Sequence, residues 1–155
     1  MTSGSAPSKR AFTLIEIMLV IALIAIVFIG SAPMVSASLR ERRLRSAAED
    51  IGAVVRDERA RAMESGQRRV VEIRPGGLFE QDRKKTRKLF ELPRGMEVYV
   101  QLPGSRWAKP ERQAWEFSPT GMVTPLSVRL VEGKSWIEVD FDLLTGRVAD
   151  ERYAF

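Results

Sequence analysis

One carboxylate in this sequence stands where carboxylates are usually excluded. Glu16, in Ala11-Phe12-Thr13-Leu14-Ile15-Glu16, opens an unbroken apolar run over 17–29. An ionised group within a bilayer costs about 2.5–3.5 kcal/mol even on the lenient insertion scale, so Glu16 there is an anomaly that needs a purpose. A second grouping is Glu138, Asp140 and Asp142, which alternate with Ile137, Val139 and Phe141. On a strand they share one face, where three carboxylates meet either a hard cation such as calcium or the nearby Arg129 or Arg147. A third is the basic run Arg83, Lys84, Lys85, Arg87 and Lys88, with Phe79, Phe90 and Tyr99 nearby in sequence. Gathered on one face it suits phosphates, with Lys84 and Lys85 as nucleic-acid contacts; ungathered it is a solvated hairpin. Arg147 and Arg152, with Tyr153 and Phe155, form a second contact patch or a frayed end.

Composition closes off most other chemistry. The 155 residues include no cysteine and no histidine, which removes disulfides, thiolate metal sites, imidazole bases and imidazole-assisted nucleophiles. There is no glycine-rich phosphate loop, no metal signature and no recognisable frame of paired catalytic acids. The chain therefore reads as a non-enzyme, with no cofactor and no metal expected. The net charge of +5 falls by two if Lys9 and Arg10 are removed with a leader, which leaves only a mild attraction for anionic surfaces.

The elements that position these groups follow from periodicity. Residues 17–39 as a helix extend about 34 Å, enough for a hydrocarbon core of about 30 Å. A secretory signal with Val35-Ser36-Ala37 as its cleavage site, or a plain single-pass anchor, fits the same apolar run, but neither explains Glu16. Leu44, Ala47, Ala48, Ile51, Val54, Val55 and Ala62 continue at helical spacing, opposite Glu49, Arg56 and Arg59. One helix is thus expected over about 12–63, kinked just before Pro33 and stopped by Gly66. The period then turns to alternation, with strands expected near 69–74, 78–81, 88–92, 96–102, 115–117, 127–131 and 135–141. The expected class is α+β, a long helix packed against a mainly antiparallel sheet.

From Lys9 to Val20 the sequence resembles the processing site of type IV prepilins and type II secretion pseudopilins. The resemblance implies cleavage by a prepilin peptidase between Ala11 and Phe12, where the family usually has glycine before the cut, followed by N-methylation of Phe12. It also implies that Glu16, fifth in the mature chain, neutralises the terminal amine of a neighbouring subunit. Farther on, Trp115-Glu116-Phe117-Ser118-Pro119-Thr120-Gly121 and Leu144-Thr145-Gly146-Arg147-Val148 are similar to the head of the minor pseudopilin H and FimT-type group. The organisation implied is a leader (1–11), a transmembrane and filament-core helix (12–39), its amphipathic continuation (40–65) and a β-rich periplasmic head (66–155). The expected role is that of a minor pseudopilin: anchored by a single pass in the inner membrane, partnered by major and minor pseudopilins, and serving protein export. A FimT-like minor pilin of type IV pili or DNA uptake is the alternative; an anchored or exported periplasmic domain is a third. The cluster Arg40-Glu41-Arg42-Arg43-Leu44-Arg45 opposes the implied orientation under the positive-inside tendency, although arginines also snorkel or solvate a helix face.

Overall fold

The structure is a computed structural model that describes residues 13–81 and 86–155, with the side chains of 27–37 outside the description. Its one helix among those residues is α1 (Leu14–Ser65), and eight strands follow. The chain divides into two compact units, Met1–Ala37 and Ser38–Phe155.

In the first unit, Thr13 caps α1. Its carbonyl accepts from the Glu16 and Ile17 amides at 3.1 and 3.3 Å, and its Oγ1 lies 3.4 Å from the Glu16 nitrogen. The apolar side chains from Leu14 to Ile26 are exposed. That described run rises about 20 Å, short of a hydrocarbon core of about 30 Å. Among the described residues no helix is long and apolar enough to cross a membrane, so the crossing expected over 12–39 is not reproduced in them. The helical assignment runs without a break past position 33, and the expected kink at Pro33 falls on residues whose side chains lie outside the description.

In the second unit, Leu44, Ala47, Ala48, Ile51, Val55 and Ala62 form the buried stripe that their spacing predicts. The helix stops at Ser65, and Gly66 takes the left-handed conformation (φ 64°) that ends helices at low steric cost. Two sheets replace the one expected. The first is ordered β3-β2-β1-β5, from β1 (Arg69–Arg74), β2 (Gly77–Gln81), β3 (Thr86–Glu91) and β5 (Gln113–Phe117). The second is ordered β4-β6-β7-β8, from β4 (Glu97–Gln101), β6 (Ser127–Glu132), β7 (Ser135–Phe141) and β8 (Val148–Ala154). All the pairings are antiparallel.

Inward rows such as Val98–Leu130–Ile137 and Val100–Val128–Val139 cross the second sheet and join the helix stripe in one core. Trp115 links the layers: its indole N–H donates to the Thr124 carbonyl at 2.9 Å, and its ring meets Phe141 edge-on at 5.0 Å. β8 was not anticipated because Val-Ala-Asp-Glu-Arg-Tyr-Ala has no apolar alternation, and all seven residues are exposed. A charged edge strand of this kind is formed by backbone pairing and leaves little pattern in its side chains.

Candidate assembly and interaction sites

The first candidate site is the start of α1. Thr13-Leu14-Ile15-Glu16 has the spacing of a capping box, in which a threonine caps and an acid follows at the third helical position. An acid in this first turn is favoured by the free amides and dipole there. It makes no ion pair with any described residue, and around it Leu14, Ile15, Met18 and Leu19 are exposed. A carboxylate ringed by exposed apolar side chains suits a site completed by another molecule. Ala11 and Phe12 lie outside the described residues.

The two C-terminal motifs meet at a residue that the sequence did not single out. Arg59, expected on the solvated helix face, instead donates through Nε to the Gly121 carbonyl at 2.7 Å and through Nη2 to the Leu144 carbonyl at 2.6 Å. It clasps the turns of both motifs onto α1. Gly121 and Gly146 hold left-handed angles there (φ 85° and 64°), and a Cβ on Gly146 would press to 3.2 Å from Val55. Asp142 organises the second turn: its Oδ1 accepts from the Thr145 hydroxyl at 2.8 Å and from the Thr145 and Leu144 amides at 2.7 and 3.0 Å. Those bonds hold its carboxyl below the usual aspartate range, the Thr145 hydroxyl contributing most.

The three alternating carboxylates do not converge. Asp142 is committed to its turn. Glu138 is buried and bonded by Arg129, whose Nε lies 2.7 Å away, and Arg152 lies 3.5 Å from its other oxygen. Asp140 pairs with Arg152 at 2.7 Å. Arg129 does pair as one reading of the sequence has it, but the second cation is Arg152 and not Arg147. The Arg129 guanidinium also sits between two rings, 4.3 Å from the Trp107 centroid and 5.3 Å from that of Trp136. Among the described residues no cluster of His, Cys, Asp or Glu is fit to hold a metal ion.

The nucleic-acid contacts read from the sequence fare unevenly. Lys84 and Lys85 lie outside the described residues. Arg152 faces Glu138, Asp140 and Asp150, so its charge is largely answered. Arg147 is exposed in the turn before β8 and makes no ion pair with a described residue. Arg147 lies in the turn before β8 and Arg152 within that edge strand, toward its far end.

Comparison with known proteins bears on the first site. The family model described as prokaryotic N-terminal methylation motif matches residues 7–32. No curated protein and no solved structure matches the chain. The matched segment contains Ala11, Phe12 and Glu16, and it implies processing by a prepilin peptidase and assembly with other pilins. The chain thus carries, at its start, the signal of prepilin-like proteins.

Proposed function

We propose that this protein is a minor pseudopilin of a type II secretion system. A prepilin peptidase cuts between Ala11 and Phe12, Phe12 is N-methylated, and the chain is held in the inner membrane with its head in the periplasm. It then joins a filament of major and minor pseudopilins that moves folded proteins outward. It acts as a building block and catalyses nothing. The observation that carries the filament reading is the methylation motif over 7–32, with Glu16 making no ion pair among the described residues at the start of an exposed apolar helix.

The preference for secretion over DNA uptake rests on Arg152, whose engagement by three carboxylates weakens a phosphate-binding role. A FimT-like minor pilin is the second reading, favoured by Arg147, which is exposed and makes no ion pair among the described residues. The deciding experiment has two arms. Intact mass of the membrane-extracted chain, made with and without a prepilin peptidase, is expected to show methylated Phe12 at the start only with the peptidase; a start at Ser38, or an uncut chain, rejects the filament reading. Binding to duplex DNA at low salt is expected to be absent; salt-sensitive binding lost on Arg147→Gln transfers the protein to the DNA-uptake reading.

A further inference from the structure

We propose that one end of the head, carrying Arg40, Arg42, Arg94, Lys134, Tyr153 and Phe155, is a docking surface for anionic phospholipid headgroups. The topology brings these residues together from separate stretches. Register sets Glu97 against Val131, Glu132 against Ser135 and Trp136 against Ala154, so the start of β4, the β6–β7 turn and the end of β8 share one end of the second sheet. Arg43 ties α1 to that end. Its Nη1 lies 3.0 Å from Glu132 Oε1, beside the turn that carries Lys134, and its Nη2 donates to the Arg94 carbonyl at 3.0 Å. Arg45 does the same on the β8 side, 2.9 Å from Glu151 and with its guanidinium 5.4 and 6.0 Å from the ring centroids of Tyr153 and Phe155.

The charge left over at this end is positive. Glu132 is answered by Arg43, and Glu41 and Glu151 by Arg45, whereas Arg40, Arg42, Arg94 and Lys134 make no ion pair with any described residue. Beside them Tyr153 and Phe155 stack at 4.9 Å and remain 55% and 41% exposed. Cations without an ion-pair partner among the described residues, at the same end of the sheet as exposed aromatic rings, suit a membrane–water boundary, where rings sit among headgroups and long cationic side chains reach phosphates.

Chain continuity selects lipid as the occupant. The apolar stretch ends at Leu39, and Arg40 is the next residue. The inference rests on reading that stretch as membrane-inserted. It also gives a purpose to a basic cluster that the positive-inside tendency would otherwise disfavour on the far side of the membrane.

The test uses the full chain in phosphatidylcholine bilayers and in bilayers with a third of that lipid replaced by phosphatidylglycerol. Arginines are labelled with a dicarbonyl reagent and lysines by acylation, and the labels are read by peptide mass spectrometry. Labelling of Arg40, Arg42, Arg94 and Lys134 is expected to fall about fivefold in the anionic bilayer relative to the exposed Arg106 and Arg112, and to recover in high salt. A fourfold variant, R40Q/R42Q/R94Q/K134Q, is expected to keep its urea midpoint while oxidative labelling of Tyr153 and Phe155 becomes insensitive to lipid composition. Equal labelling of the four cations in both bilayers overturns the inference while leaving insertion intact. A chain that floats with neither bilayer overturns the insertion reading itself. Protection seen only in whole cells assigns the surface to an acidic protein and overturns the lipid assignment.

Discussion

Two stretches of one helix contrast. Leu14 and Ile15 are 77% and 75% exposed, while Leu44 and Val55 are fully buried. Around Leu44 the sequence interleaves charge with apolar residues, so one stripe faces the sheets and the rest faces water. From Ile17 to Ile26 no charge interrupts, and a helix apolar all round has no face suited to water. The second stretch buries its apolar face within its own unit; the first, among its described residues, leaves its apolar side chains exposed. Substitutions in the first stretch should therefore affect assembly and spare the fold, and substitutions in the second should do the reverse.

The largest expected effect falls on assembly. In a host with a prepilin peptidase, Glu16→Ala should still be cut before Phe12, yet its recovery in sheared filaments should drop about a hundredfold or more. The removal of one member of a desolvated ion pair costs about 3–5 kcal/mol. The head, read by urea unfolding, should be unchanged. Filaments of normal yield would show that Glu16 serves only the helix cap that Thr13 begins.

The next pair reverses the pattern. Trp115→Ala removes a fully buried ring, its hydrogen bond to Thr124 and its contact with Phe141, and should destabilise the head by about 3–5 kcal/mol. Leu19→Ala, at a side chain 60% exposed, should leave the urea midpoint within error. Equal losses in the two variants would mean that residues near 19 pack on the head and that the contrast is false.

How much of this was legible in the sequence differs between the stretches for the same reason. The core stripe from Leu44 to Ala62 and the rows of β4, β6 and β7 follow from burial, which imposes a period on side chains. Gly66 was readable as a stop because its conformation is intrinsic to the residue. The Arg59 clasp was not readable, because its acceptors are carbonyls 62 and 85 residues away and any residue supplies a carbonyl. β8 was missed because none of its residues is buried. The cap at Thr13 does have a signal in the sequence, the threonine and the acid three residues later, and that acid is the one to which the prepilin resemblance assigns an intermolecular partner.

Glu58 tests the buried stripe from within. It is a carboxylate 1% exposed on the apolar face, held by Arg69 Nε at 2.6 Å and Arg61 at 3.2 Å, and Arg69 also pairs with Glu80. Glu58→Ala should lower head stability by about 2–3 kcal/mol, below the range for a sealed pair because Arg69 retains contact with water. Urea unfolding of the full chain reads this directly. A loss within error would mean that Arg69 is satisfied by Glu80 alone.

The smallest effect lies in the second motif turn, and it is sharpest as a function of pH. The Asp142 carboxyl is held below its usual value by the Thr145 hydroxyl and two amides, so the folded head binds that proton less readily than the unfolded chain does. The stabilisation from Asp142 is therefore complete above the unfolded value, near pH 4, and is lost as pH falls through the lower folded value. Asp142→Asn should lie below the parent in urea midpoint from about pH 5 upward, and the gap should close as pH drops below about 4. No gap at any pH would show that the turn needs only an acceptor at position 142, which asparagine also supplies, and that the charge contributes nothing. Because Arg59 and Gly146 fasten this turn to α1, a closing gap would also show that the second half of the helix is held partly by a turn in the strand region.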